Sequence, residues 1–259
     1  MEAGEFKLQE RTALLVGPCT STIQSIAMTL TSFGCSVAMV DANADTHTRF
    51  AERLMDAREI NPKAGRAAAF SIDLKTPNGP KDAVGKAAES FGGIDIYVDG
   101  SIALDTASLK DSTPDELKRL IHENFEVPVL ITQSVLKFLE GRRRGRVIYL
   151  TYDLHAAGFP AHSVAGAARN GLVNFSKSLA REVASSRVTV NCLSMGVTEE
   201  LLLNYGKGQL SIQAAQTELQ KKYPDAILTE ADKIAQTVAF LASSMGSGVS
   251  GQTLTVAQR

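Results

Sequence analysis

The ten residues RVTVNCLSMG, from Arg187 to Gly196, decide the fold. Val188 to Cys192 is an uncharged run with β-branched residues at 188, 189 and 190, which is the pattern of a strand and too short for a helix. It follows a segment of helical period, Ala161 to Ala184. A short β-branched strand entered from a long helix is the repeating unit of a parallel sheet. Working outward, the same alternation recurs. Further strands are predicted at Ala13 to Val16, Ser36 to Val40, Ala67 to Ile72, Ile94 to Val98, Arg146 to Leu150 and Thr253 to Val256. Helices are predicted at Thr22 to Phe33, Thr46 to Ile60, Gly79 to Phe91, Pro114 to Glu140 and Glu230 to Ser243. Parallel neighbours need such crossovers. The expected architecture is α/β, a doubly wound, seven-stranded parallel sheet with helices on both faces.

With 259 residues, 44% of them hydrophobic, the chain is long enough for one α/β domain, and a single domain over 1–259 is expected. The 27 basic and 28 acidic residues leave a net charge of -1, so no long-range field favours nucleic acid or an anionic membrane. Met1 to Arg11 is polar and acidic where a secretory signal would be basic and then apolar, and a cytoplasmic protein is expected. Cys19, Cys35 and Cys192 lack the close pairing of zinc ligands, so they are read as reduced, mostly buried thiols with no metal site. Gly196 to Thr229 is loosely patterned and is expected to hold one or two small helices above the sheet.

Five collinear strings carry a wider resemblance: NFEVPVLITQSVLKFL (Asn124 to Leu139), GRVIYL (Gly145 to Leu150), GLVNFSKSLARE (Gly171 to Glu182), RVTVNCLSMG (Arg187 to Gly196) and VAFLASSMGSGVSGQTLTV (Val238 to Val256). In their order and spacing, over Thr12 to Val256, they resemble the short-chain dehydrogenase/reductase family, which implies a Rossmann-like fold and an NAD(P)-dependent oxidoreductase ancestry.

The resemblance also places the family's working residues. Its first turn is T-G-x-x-x-G-x-G, whose glycines let backbone N–H groups approach a pyrophosphate at a helix N-terminus. Val16 to Ile23 here reads VGPCTSTI. Only the first glycine remains, and Ile23 puts a branched side chain where the cofactor would pass. The turn is read as a polar connection in which Ser21 or Thr22 caps the helix. Asp41 and Asp73 stand where the family's NAD users hold ribose and adenine, although Asp is also a common residue at strand ends. The family's N-N-A-G is replaced by Asp99, Gly100, Ser101 and Ile102, and the Asp99 carboxylate is expected to repel an anionic cofactor. Its Pro-Gly appears as Met195 and Gly196.

Of the family's catalytic serine, tyrosine, lysine and asparagine, the first three positions carry Tyr152, Ala165 and Arg169, and Asn124 alone is kept. Ala165 has no proton to transfer, and Arg169 is effectively never deprotonated. Asn124 is explained equally well by a backbone hydrogen bond at a helix kink. The expectation is therefore no catalytic, cofactor-binding or metal-binding residue in this chain. A rewired reductase would use Tyr152 as acid/base beside Arg169, with Thr151, His155 and His162 nearby; otherwise Tyr152 fills the vacated pocket and the histidines lie exposed.

Arg142, Arg143, Arg144 and Arg146 form the most basic local run, read as solvent-facing cations at a helix C-terminus. Val127, Leu130, Ile131, Leu136 and Leu139 form an apolar stripe, and Ala165, Gly166, Ala167 and Ala168 allow close helix approach. The family assembles as tetramers through these elements. The resemblance thus implies a non-catalytic subunit of a heterotetramer, stabilising a complete, NAD-binding family member that acts on an alcohol such as a hydroxyacyl thioester. A small-molecule sensor on the emptied cleft is the third reading.

Overall fold

The computed structural model describes residues 6, 8–43, 45–104, 108–142, 144–154, 158, 162–206, 209–224 and 226–258. Its strands are β1 (Thr12–Val16), β2 (Ser36–Asp41), β3 (Ala67–Ser71), β4 (Ile96–Asp99), β5 (Arg146–Tyr152), β6 (Thr189–Met195) and β7 (Thr253–Val256). They form one parallel sheet in the order β3-β2-β1-β4-β5-β6-β7. The helices are α1 (Ser21–Ser32), α2 (Asp45–Ile60), α3 (Gly79–Phe91), α4 (Pro114–Ile121), α5 (Val127–Arg142), α6 (Ser163–Glu182), α7 (Glu199–Tyr205), α8 (Ile212–Gln220) and α9 (Ala231–Ala242).

The alternation read from the sequence is present, with boundaries moved by one or two residues. Every residue of β1, β5 and β6 is buried, as expected of central strands covered on both faces, and the few polar residues in them are buried too. One core packs α1, α2, α7, α8 and α9 against the sheet; the other packs α3, α5 and α6 against its opposite face.

The helix expected over Pro114 to Glu140 is divided. His122–Glu126 forms a π-turn between α4 and α5. Asn124 explains it: its amide donates to the Leu120 carbonyl at 2.9 Å and to Ala103 across the cleft at 2.8 Å, satisfying an acceptor that the widened turn frees. The predicted apolar stripe on α5 is mostly core. Val127, Ile131 and Leu139 are buried, and only Leu130 is openly exposed.

Of the loose stretch 196–229, α7 and α8 are the two small helices expected. Arg146 opens β5 as predicted, but its side chain is buried and not solvent-facing, which corrects the reading of the arginine run at that residue. Arg143 and His155 lie outside the described residues. Among the described residues no helix is long and apolar enough to cross a membrane.

Candidate functional site

The carboxyl ends of β1, β2, β3 and β4 lead into one cleft, the place where open α/β sheets bind ligands. Gly17 makes the first turn possible. Its φ is +131°, and a Cβ there would lie 2.6 Å from the Gly100 backbone, so β1 and β4 end in close contact. Beyond that glycine, three departures from the family pattern shape the floor.

The first is at α1. Thr20, one residue before the expected caps, is the cap, its hydroxyl accepting from the Ile23 N–H at 3.3 Å. Ser21 and Thr22 turn instead to Glu200 on α7. The Glu200 carboxylate accepts from the Thr22 N–H at 3.0 Å, the Ser21 hydroxyl at 3.1 Å and the Thr22 hydroxyl at 3.4 Å. Burial opposes its ionisation, but hydrogen bonds from the Thr22 N–H, the Thr198 side chain and its own backbone outweigh that and hold its pKa below the usual carboxylate range. An internal anion thus occupies the positive end of α1. The sequence reading passed over Glu200, because it sits in the weakly patterned stretch after β6.

The second change pairs Ile23 with Gly100. Ile23 is buried, and a Cβ on Gly100 would lie 2.5 Å from its Cδ1. The branched side chain therefore fills space that only a glycine at 100 leaves open. Burying a side chain of this size contributes about 1.5–3 kcal/mol.

The third change lies at the catalytic positions. Arg169, with no exposed surface, donates through Nη1 to Asp99 Oδ2 at 2.5 Å, through Nε to Asn124 Oδ1 at 3.1 Å and through Nη2 to the Ser101 carbonyl. Ser101 in turn donates its hydroxyl to Asp99 Oδ1 at 2.5 Å. The repulsion expected from Asp99 is thereby removed, because its carboxylate is buried against a guanidinium and does not project into the cleft. Asn124 Oδ1 also accepts from the Ala103 N–H at 3.1 Å. All the polar atoms of this asparagine are engaged in holding structure.

Tyr152, the alternative acid/base read from the sequence, is buried and its hydroxyl meets Thr198 Oγ1 at 3.2 Å. Burial raises its pKa far above the usual phenol range, so the ionised form is disfavoured. Ala165, Thr151 and His162 are buried too, which corrects the exposed position expected for His162. Another histidine, which sequence reasoning had not singled out, stands under the cleft: His47 on α2 is buried beside Asp41, and burial lowers its pKa. Cys35 and Cys192 are buried and Cys19 half-buried, and burial raises all three thiol pKa values, that of Cys192 to about 11. Among the described residues no group of three His, Cys, Asp or Glu is placed to hold a metal ion.

What stays open is a cleft of about 250 Å³ lined by Gly17, Asp41, Asp73, Lys75, Ser101 and Glu123, among others. The sequence-derived pair Asp41 and Asp73 is brought together there.

The family model described as enoyl-(acyl carrier protein) reductase matches residues 21–258. Nodulation protein G of Rhizobium sp. (strain N33) is 28% identical over 254 residues, covering 97% of both chains. The 3-oxoacyl-[acyl-carrier-protein] reductase FabG of Escherichia coli (strain K12) is 28% identical over 252 residues, again 97% of each. A dehydrogenase/reductase from Sinorhizobium meliloti 1021 superposes with a TM-score of 0.80 at 24% identity, covering 98% of this chain and 96% of the other. A Serratia marcescens short-chain dehydrogenase/reductase double mutant gives 0.82 at 22%, covering 97% and 98%. The scaffold, the strand order and the five collinear strings agree with these likenesses, and the chain belongs to the short-chain dehydrogenase/reductase family.

Proposed function

We propose that this chain is a non-catalytic subunit which joins a complete, NAD-dependent member of its family in a hetero-oligomer and stabilises it. The observation that carries the reading is the closed Arg169–Asp99–Asn124–Ser101 network. It puts a fully engaged, permanently charged guanidinium where the family's chemistry needs an ammonium, and Ala165, at the position of the phenol, supplies no proton. Losing one positioned acid/base costs roughly 10²–10⁴ in rate, and here no neighbouring group takes over.

The residues present do not fit a dinucleotide. Glu200 holds the N–H and hydroxyl groups of the α1 terminus that a pyrophosphate would need, and Ile23 fills the passage beside Gly100. A second carboxylate-like anion at that end of α1 would meet like charge at close range. In this reading the partner binds NAD, and this chain contributes helix surfaces. Burial of standard-sized patches on both subunits favours the active partner by mass action. The arrangement resembles the silent subunit of 2-[hydroxy(phenyl)methyl]succinyl-CoA dehydrogenase of anaerobic toluene degradation, and a hydroxyacyl-CoA is the substrate class inferred for the complex.

One observation favours a second reading. The 250 Å³ cleft with Asp41 and Asp73 is retained, which suits a small-molecule sensor. The rewired reductase has no such support, since the Tyr152 phenol is buried against Thr198.

The test is calorimetric titration of the isolated chain with NAD(H) and NADP(H), beside turnover of the chain alone and co-expressed with a complete family member from its genomic neighbourhood. The expected result is no saturable dinucleotide heat and no carbonyl reduction by the chain alone, with a stoichiometric complex that is active. Carbonyl reduction by the isolated chain, lost in Tyr152→Phe, would overturn the reading.

A further inference from the structure

At the opposite end of the sheet, where the strands begin, lies a cavity of about 540 Å³ whose wall carries Arg11, Arg144, Arg146 and Arg187. The sequence places them far apart. Arg11 precedes β1, Arg144 and Arg146 flank the start of β5, and Arg187 leads into β6. The parallel sheet gathers them because all of these strands start on one edge.

Their positive charge is not matched. Arg11 and Arg146 are buried, at 7% and 3% exposure, yet their guanidiniums donate only to backbone carbonyls. Arg11 reaches Ala242 at 2.8 Å; Arg146 reaches Gly145 at 2.9 Å and Ser243 at 3.2 Å. Neither they nor Arg187 forms an ion pair with any described residue. The carboxylate that faces the group is Asp95, which takes Arg144 at 3.0 Å and Arg142 at 3.8 Å. Burial, and then repulsion from Arg11, lower the pKa of Arg146 to about 10.

A bland account is that these are cations at helix C-termini, since the cavity lies at the ends of α6 and α9. Magnitudes decide against it as a full explanation. Two helix ends supply about half a negative charge each. With Asp95, whose charge Arg142 shares, they leave at least about two of the positive charges without a counter-charge. Two of the four, Arg11 and Arg146, are buried, and holding buried cations together without neutralising them is costly, so an anion suits the cluster.

A second observation points to a ligand. Thr189, the first residue of β6 and part of the cavity wall, is 5% exposed, and its buried hydroxyl has no hydrogen-bond partner among the described residues. Buried hydroxyls are normally paired. Ser247, also on the wall, is exposed and adds another hydroxyl.

We infer that the cavity between the β1, β5 and β6 starts and the ends of α6 and α9 is a binding site for a phosphate group, held by Arg11, Arg144, Arg146 and Arg187 with Thr189. A dianionic phosphate matches the excess charge, its oxygens accept from guanidinium forks, and one more accepts from the orphan hydroxyl. The site is independent of the cleft and of the subunit reading.

The test is calorimetry on the full chain at low ionic strength with inorganic phosphate, pyrophosphate and ribose 5-phosphate. Two variants keep the fold. Arg187→Asn suits the left-handed backbone at that residue (φ +59°), and Thr189→Val keeps shape while removing a hydroxyl that bonds nothing. Glu200→Gln, in the far cleft, is the control. The expected result is one saturable site, weakened about tenfold by each wall variant and by added salt, and unchanged in Glu200→Gln. Equal binding of phosphate and ribose 5-phosphate supports a site for the free group; tighter binding of ribose 5-phosphate, still weakened in Arg187→Asn, supports one for a phosphorylated small molecule. No saturable heat with any probe, or heat unchanged in both wall variants, overturns the inference.

Discussion

The two ends of the sheet treat charge in opposite ways. At the carboxyl end, where the family does its chemistry, each buried charge is answered from inside the chain. Asp99 is answered by Arg169, and Glu200 by the N–H and hydroxyl groups of α1. At the amino end, Arg11, Arg146 and Arg187 lack any carboxylate partner among the described residues. The difference teaches how each end disposes of its charge. Ile23 fills the space that Gly100 leaves, and Arg169 neutralises Asp99, so these groups have little left to offer a ligand, whereas an end left charged has more.

The sharpest way to break this contrast is to remove Arg169. Arg169→Met leaves Asp99 as a buried charge without its partner, which costs about 3–5 kcal/mol. In a chain of this size that lowers Tm by roughly 10 °C. Adding Asp99→Asn should recover much of the loss, because the pair is then replaced and not broken. Thermal unfolding of the two single variants and the double variant measures the coupling. An additive result would mean that the two residues do not neutralise one another.

Next in size is Glu200. Glu200→Gln exchanges charge-assisted hydrogen bonds for weaker ones and should cost about 1.5–3 kcal/mol at neutral pH. The sign of its pH dependence follows from its lowered folded pKa. Its contribution is full well above the unfolded value of about 4.3 and is lost as pH falls through the folded value. Denaturant unfolding between pH 3 and 7 should therefore show a steeper acid limb for the parent chain than for Glu200→Gln. Parallel limbs would show that the carboxylate is not held ionised at α1.

The fold was legible because the alternation was strong: short β-branched runs such as Val188 to Cys192, each beside a long helical segment, read as parallel strands. The residues at the positions that the family resemblance assigns to catalysis were legible too, since Tyr152, Ala165 and Arg169 could be counted from both flanking strings. The compensations were not. Ile23, Gly100, Asp99 and Arg169 each stood out singly as departures, but the pairs span 77 and 70 residues, and no local pattern reports such a contact. Glu200 was hidden for a different reason, lying in a segment without strong periodicity. The arginine run misled because helix C-terminal cations are common, and only the strand register shows that Arg146 points its charge into protein.

Tyr152→Phe comes third. Its hydroxyl meets Thr198 at 3.2 Å, so its loss should cost about 0.5–1.5 kcal/mol and alter no turnover in a complex with an active partner. A fall in turnover without a fall in stability would return the phenol to the chemistry.

The smallest expected effect is at Arg187, and it separates the two ends most cleanly. Because the arginine end is overcharged, deleting one exposed cation there should change stability by less than about 0.5 kcal/mol in dilute buffer, with the gain in reduced repulsion offsetting lost contacts. The contrast appears on adding pyrophosphate. An anion that binds only the folded parent chain raises its Tm in proportion to RT ln(1 + [L]/Kd), so the parent should climb with concentration while Arg187→Asn lags. At the carboxyl end the same titration should leave the difference between the parent and Glu200→Gln constant, since that end already holds its anion covalently within the chain. If Arg187→Asn and the parent rise together, the arginines are balanced by helix ends alone, and the two ends of the sheet are not electrostatically different.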